Sequence, residues 1–461
     1  MNKKILLITP DGVGLKNFGY SEITHFLDNE GIQVVFWNST PFNFNKLGLT
    51  SIKLSNTFPS KADLLKRAKI EIELDDFSKR FRTDVFQTYK FPFKTRSLKA
   101  FIKKVVIGTY KLKYKNRRYK IQNQINTIIL NSLAYKDAFK KLSDEKPDLL
   151  FCSNQRASNC IAPILAAKNL NIPTACFIFS WDNLPKATKI IDTDYYFVWS
   201  DFMKNELLQY YQHIKEHQIK IVGTPQFEYH YATNQSDLEA FRKKYNLSID
   251  TKYILFSGDD ITTSPKDEEF LESVCQSIKE LNKRSAYKLR VLFRRCPVDF
   301  SNRYDEILKI YSDILIEVKP IWNKQGEMWN TVLPTKADAK QLALSIKVSD
   351  LVINLGSSMV FDAVCHNKPC AYINFNPKGI DLSKWSVKKI YNFIHFQSMP
   401  NKDAVIWLNS KEEISDKILE GLNNPKKYVE NAQKWFEVIN QQPASQASER
   451  IVKAINQIIS T

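Results

Sequence analysis

The start of this 461-residue chain constrains its fold more than any other feature. Lys4 to Thr9 is an unbroken apolar run, followed by Pro10-Asp11-Gly12-Val13-Gly14-Leu15 and a helix-like stretch from about Asn17 to Asn29. Gly31 and a second apolar run, Gln33 to Trp37, come next. A strand with no polar alternation is buried on both faces, which places it in a parallel sheet whose crossovers are helices. The pattern recurs at 147–152, 173–179, 195–199 and 220–225, while 59–145 reads mainly as lysine-rich helix. A second series opens at Tyr253–Gly258 and continues at 288–294, 314–318, 351–355 and 369–375.

A chain of this length exceeds one hydrophobic core and calls for two α/β domains. The expected division is a domain over 1–232 with a basic helical insertion at 94–120, and a polar linker over 233–250. A second domain over 251–440 and a terminal helix over 441–461 complete it. The expected fold class is α/β, with two Rossmann-like doubly wound parallel sheets facing a cleft, where the carboxyl ends of the strands meet ligand.

Composition narrows the function classes. Hydrophobic residues make up 43% and aromatics 12%, which excludes a disordered chain. The apolar run at the N-terminus is too short for a signal-peptide core, and no stretch of 18 apolar residues occurs, so the expectation is cytoplasmic. The seven cysteines have neither disulfide-framework nor zinc spacing; they read as reduced thiols, and no metal site is expected. The formal charge of +18 implies an anionic partner.

The strongest motif runs from Ser349 to Pro369: a buried strand, then Gly356-Ser357-Ser358, then a helix carrying Asp362. Gly356 lets backbone approach a ligand, and Ser357 and Ser358 set hydroxyls beside the free N–H groups of a helix start, an arrangement suited to a diphosphate. Asp362, one turn on, is placed to accept from ribose hydroxyls. The alternative is that the serines merely cap the helix and Asp362 is a helix-start charge.

Four further loops end strands. In the first, Gly12 and Gly14 can approach an acceptor and Asp11 can act as base; a tight βα turn is the alternative. His25, on the following helix, is the rival base or a packing residue. Gly258, in Phe256-Ser257-Gly258-Asp259-Asp260, sits in a Ser-Gly turn between a strand and a helix, and the two carboxylates would repel phosphate and read as loop caps. Arg294, at the end of the run 291–294, is placed to neutralise a leaving diphosphate. Trp181, Asp182 and Asn183 form either a sugar platform with hydroxyl-binding groups or a plain turn.

On these residues, the segment Ser349–Phe375 resembles the nucleotide-binding signature of GT-B glycosyltransferases. It is similar to the corresponding segments of the N-acetylglucosaminyl transferase of peptidoglycan synthesis, of UDP-N-acetylglucosamine 2-epimerases and of CDP-glycerol glycerophosphotransferases. The resemblance implies diphosphate contacts for Ser357 and Ser358, a ribose contact for Asp362, and a Gly258 loop that lies against the donor phosphates. It also implies a nucleotide-sugar donor, a UDP-sugar, with no cofactor required. Cys296 stands where glycerophosphotransferase-like proteins tend to carry histidine, a departure from that branch.

Between Lys94 and Lys120 stand eleven Lys or Arg and no Asp or Glu, interleaved with Phe101, Ile102, Val105 and Leu112. This segment suits an anionic membrane surface; a solvated lysine-rich helix is the alternative. The functional expectation is a glycosyltransferase moving a sugar to a cell-surface glycan or lipid-linked acceptor, peripheral on the inner membrane face. An epimerase or glycerophosphotransferase on the same scaffold is the related alternative. A non-catalytic membrane- or nucleic-acid-binding protein is the alternative of another class, although no nucleic-acid module supports nucleic acid as a partner.

Overall fold

The computed structural model describes residues 3–91, 97–115, 117–326 and 331–460. The chain divides into two compact units, Met1–Thr224 with Gln446–Thr461, and Pro225–Ser445.

The first unit is built on seven strands: β1 (Lys3–Thr9), β2 (Ile32–Asn38), β3 (Ser51–Lys53), β4 (Leu149–Cys152), β5 (Thr174–Phe177), β6 (Tyr195–Val198) and β7 (Ile219–Ile221). Their order is β3-β2-β1-β4-β5-β6-β7 and every pairing is parallel. The strand order reverses between β1 and β4, whose register pairs Ile5 with Leu149 and Ile8 with Cys152. Ile5 to Ile8 and Leu149 to Cys152 are fully buried, as the missing polar alternation required.

The second unit repeats the plan with β8 (Lys252–Ser257), β9 (Leu289–Arg294), β10 (Leu315–Glu317), β13 (Leu351–Asn354), β14 (Cys370–Ile373) and β15 (Ile406–Leu408). Their order is β10-β9-β8-β13-β14-β15, again parallel throughout. A small antiparallel pair, β11 (Trp322–Lys324) and β12 (Val332–Pro334), stands apart. The helix Asp267–Arg284 buries Phe270, Leu271, Val274 and Ile278 against Ile254, Phe256, Val291 and Phe293. Both units are therefore doubly wound α/β sheets, as the sequence predicts.

Three boundaries differ from expectation. The unit break falls at Thr224/Pro225, and the expected linker contains the helix Gln235–Lys244, which contacts the helix Lys336–Val348 of the second unit. Tyr245 Oη and Lys244 Nζ both donate to Gln341 Oε1, so this stretch is part of a domain rather than a tether. The terminal helix Ala447–Ile459 belongs to the first unit. It buries Ile451, Ile455 and Ile458 and packs on the helix Ile23–Asn29, while Arg450 donates to the Val222 carbonyl. The predicted helix over 17–29 is broken: Gly12–Gly14 forms one turn, Leu15–Gly19 a wider π turn, and the α-helix proper starts at Ile23.

Within the basic segment, Leu98–Tyr114 is a helix capped by Ser97, whose Oγ accepts from Ala100 N–H. Residues 94–96 and 116 of that segment lie outside the described residues. No described helix is long and apolar enough to cross a membrane, and all seven cysteines are free.

Candidate functional site

Each unit has one topological switch point, where neighbouring crossovers leave on opposite faces and open a crevice at the strand ends. In the first unit this is the end of β1 beside β4; in the second it is the end of β8 beside β13. The sequence-predicted residues Asp11, Gly12 and Gly14 fall at the first, and Gly258, Gly356, Ser357 and Ser358 at the second.

At the first switch point Asp11 is fixed on both oxygens. Oδ1 accepts from Gly14 N–H at 2.8 Å, capping the Gly12–Gly14 turn, and Oδ2 accepts from Asn154 Nδ2 at 2.8 Å. Burial raises its carboxyl above the ordinary range, against the opposing pull of the Gly14 N–H, Asn154, the Val13 N–H and the Arg156 charge. A positioned carboxyl with a raised pKa has the character of a general base. Gly12 and Gly14 are buried, and Gly14 is closely packed: a Cβ there would lie 2.5 Å from Ser153 Oγ. His25 is on the exposed face of its helix, with Nε2 3.2 Å from Asn29 Nδ2. It takes no part in the hydrogen bonds that hold Asp11.

The predicted sugar platform is turned inward. Trp181 and Asn183 are buried, Asn183 accepts from Gln155 Nε2 at 3.0 Å and donates to Asp182 at 2.8 Å, and Asp182 is ion-paired with Lys186. The loop holds itself together, so the turn reading replaces the platform.

At the second switch point Gly356 has φ +63°, the left-handed region that favours glycine, and a Cβ there would lie 3.0 Å from the Tyr391 ring and 3.1 Å from Phe396. The space a side chain would take is filled by the unit's own rings, which corrects the ligand-approach reading of this glycine. The rings shape the turn: Tyr372 donates to the Ser357 carbonyl at 2.7 Å, and Asn354 Oδ1 accepts from Ser357 N–H at 2.8 Å. The Ser357 hydroxyl makes only a long contact, 3.4 Å, with Met359 N–H, and the Ser358 side chain does not cap the helix Met359–Val364. Both serines are partly exposed. The capping alternative therefore fails for Ser358, whose hydroxyl remains for another use.

Asp362 has a partner that the sequence did not announce. Its Oδ1 accepts from His230 Nε2 at 2.8 Å, and His230 Nδ1 lies 3.0 Å from His366 Nε2. With a proton on each Nε2 the network forms a directed chain, His366 to His230 to Asp362. Burial, reinforced by neighbouring His230, Lys347 and Lys368, pushes His366 down to about 3, consistent with a neutral ring. Asp362 is thus a braced carboxylate rather than a loose helix-start charge.

Asp259 lies in the loop that follows β8. Its Oδ2 is buried without a partner, and burial, reinforced by Asp267 and Asp260, raises its carboxyl. Asp267 is itself pushed up to about 6 by burial, although Tyr304 Oη and Asp259 N–H donate to it. Burial raises the Tyr372 and Tyr391 phenols, and Asp259 is among the nearby groups that add to it. A carboxyl pushed towards its neutral form repels phosphate less than a free carboxylate does. Asp260 behaves as the predicted cap, accepting from Thr262 and Thr263. Gly258 leaves room for Tyr304 Oη and Asp267 Oδ2, which would lie 3.1 and 3.2 Å from its Cβ.

Arg294 is not the free cation expected at the end of β9. It is buried, and its Nη2 donates to both oxygens of Asp338 at 2.9 and 2.8 Å, which cancels its charge. Burial alone would raise Asp338; the Arg294 charge and the donors of Ile321 and Trp322 hold it below the ordinary range. Its Nη1 is buried without a partner among the described residues.

No protein-family model matches the chain, and no curated protein sequence matches it. Solved structures do. The S. aureus MnaA–UDP co-structure superposes with a TM-score of 0.55 at 12% identity, covering 99% of this chain and 97% of that one. The UDP-GlcNAc 2-epimerase of Methanocaldococcus jannaschii gives 0.54 at 16% identity over 99% and 100%. A glycosyltransferase from Rickettsia africae gives 0.54 at 13% over 100% and 99%. At these identities the likeness is one of fold, and it extends over both units: the chain has the two-domain GT-B architecture.

Proposed function

We propose that this protein is an enzyme acting on a nucleoside-diphosphate sugar, with UDP as the carrier, and that it transfers the sugar to a hydroxyl acceptor. The observation that carries the reading is the second switch point. There Ser358 offers an uncommitted hydroxyl, Asp259 a carboxyl held towards its neutral form, and Asp362 a carboxylate braced by His230. A diphosphate needs donors and no opposing charge; a ribose needs a fixed acceptor. The residues present match those demands. Ser357, Ser358 and Asp259 take the diphosphate, and Asp362 takes ribose hydroxyls through the oxygen not bonded to His230. Asp11, the positioned carboxyl at the first unit's switch point, is the candidate base for the acceptor proton. A glycan or lipid-linked alcohol is the acceptor class, and the enzyme works on the cytoplasmic side.

A second reading, 2-epimerisation of the nucleotide sugar, is favoured by the fold comparisons, among which a 2-epimerase stands beside a glycosyltransferase. An epimerase alters the sugar with no acceptor present; a transferase releases UDP only when an acceptor is supplied. Incubating the protein with a panel of UDP-sugars, with and without alcohol acceptors, separates them. Acceptor-dependent UDP release supports transfer, a new UDP-sugar epimer without acceptor supports epimerisation, and neither product with any donor refutes both.

A further inference from the structure

The basic helix Leu98–Tyr114 has two apolar faces, and among the described residues only one is covered. Ile107 and Tyr114 are buried, and Lys111 is ion-paired with Glu71 at 2.7 Å and Asp75 at 3.3 Å, which fixes the helix against Ser60–Phe81. An α-helix turns about 100° per residue. That spacing puts Leu98, Phe101, Ile102, Val105 and Leu112 together on the opposite side, where they are 76, 55, 52, 51 and 80% exposed. Lys99, Lys103 and Lys113 flank this ridge on one side, Lys104 and Lys115 on the other, and all five are exposed. No Asp or Glu occurs in the helix.

We infer that this ridge is a docking surface for an anionic lipid bilayer. Charge complementarity selects the occupant. A partner helix or a second copy would bring acidic side chains to answer the lysines or would bury them unpaired. A bilayer instead takes the apolar ridge into its acyl boundary while lysine stems reach up on both flanks to lipid phosphates. From Leu98 to Leu112 the ridge runs roughly 21 Å at 1.5 Å per residue, so the helix lies along the surface rather than entering it. The inference does not depend on the nucleotide assignment.

Flotation of the full-length protein with vesicles tests it, comparing pure phosphatidylcholine with vesicles in which phosphatidylglycerol replaces roughly a third of the lipid, enough to create a negative surface potential. The protein should float with the anionic vesicles only, and added salt should release it. Lys99→Gln/Lys103→Gln/Lys104→Gln should weaken that binding roughly a hundredfold. Phe101→Ser/Val105→Ser, which leaves the charge unchanged, should weaken it roughly tenfold. All five positions are exposed, so circular dichroism and melting should match the parent. Absent binding, equal binding to both vesicle types, or full binding by the Phe101/Val105 variant overturns the inference. So does a lipid-free oligomer that this variant dissociates, which would make the ridge a self-contact, or a nucleic acid that binds the parent and this variant alike.

Discussion

The two switch points come from one topology used twice, and they have opposite electrostatic finishes. In the first unit the crevice is committed: both oxygens of Asp11 are bonded, and Gly14 is pressed against Ser153. In the second the backbone is committed and the side chains are not. Gly356 is locked by Tyr391 and Phe396, whereas Ser358 and the Asp259 Oδ2 are left without internal partners. A crevice that spends its donors on itself can hold a catalytic group in place; one that keeps donors unspent can hold a ligand. On the proposed reading the first suits a catalytic carboxyl and the second suits a ligand.

Substitutions should separate the two. The largest effect belongs to Asp11→Asn, which should lower turnover by about 10²–10⁴-fold, the range of a lost general base, with UDP affinity unchanged. In the parent, turnover should rise with pH through a midpoint above the ordinary carboxylate range, because Asp11 must be ionised to act and burial raises its pKa. A drop in UDP affinity instead would erase the division of labour.

Next comes Gly356→Ala, which combines a left-handed φ with rings at 3.0 and 3.1 Å. It should cost about 1–3 kcal/mol of stability in urea denaturation and weaken UDP binding together. Gly14→Ala meets only a hydroxyl, in a right-handed backbone conformation, and should cost about 1 kcal/mol. Adding Ser153→Ala should recover most of that loss, and no recovery would show that Gly14 answers to something other than packing.

A further effect is on pH. The fold keeps His366 neutral down to about 3, whereas an unfolded histidine takes a proton near 6.5. As pH falls below about 6.5 the unfolded chain therefore binds the extra proton, and stability should fall by about 1.4 kcal/mol per pH unit from this group. His366→Gln keeps a donor for His230 and should flatten the slope; an unchanged slope would place the linkage elsewhere.

Much of this was legible before the fold. Continuous apolar strands give the parallel sheets, and glycine-bearing turns after β1, β8 and β13 mark the switch points, because local periodicity and turn chemistry act within a few residues. The braces were hidden because they are long-range: His230 reaches Asp362 across 132 positions, and Arg294 reaches Asp338 across 44. One signal was available. Asp362 and His366 are four apart, a spacing that sets two polar groups on one side of a turn, and the chain has only six histidines. The fate of Trp181 and Arg294 was not available. Whether a strand-end residue faces ligand or is bonded inside its own unit depends on partners that the motif does not contain.

Isothermal titration of UDP into the parent, Ser357→Ala/Ser358→Ala and Asp362→Ala tests the central claim most directly. UDP should bind the parent, and the serine pair should weaken it by roughly 10–100-fold, the worth of hydrogen bonds to a charged group. Removing Asp362 should weaken uridine as well as UDP. No heat from UDP at millimolar concentration, or three identical isotherms, would contradict the claim that the second switch point is a nucleotide site.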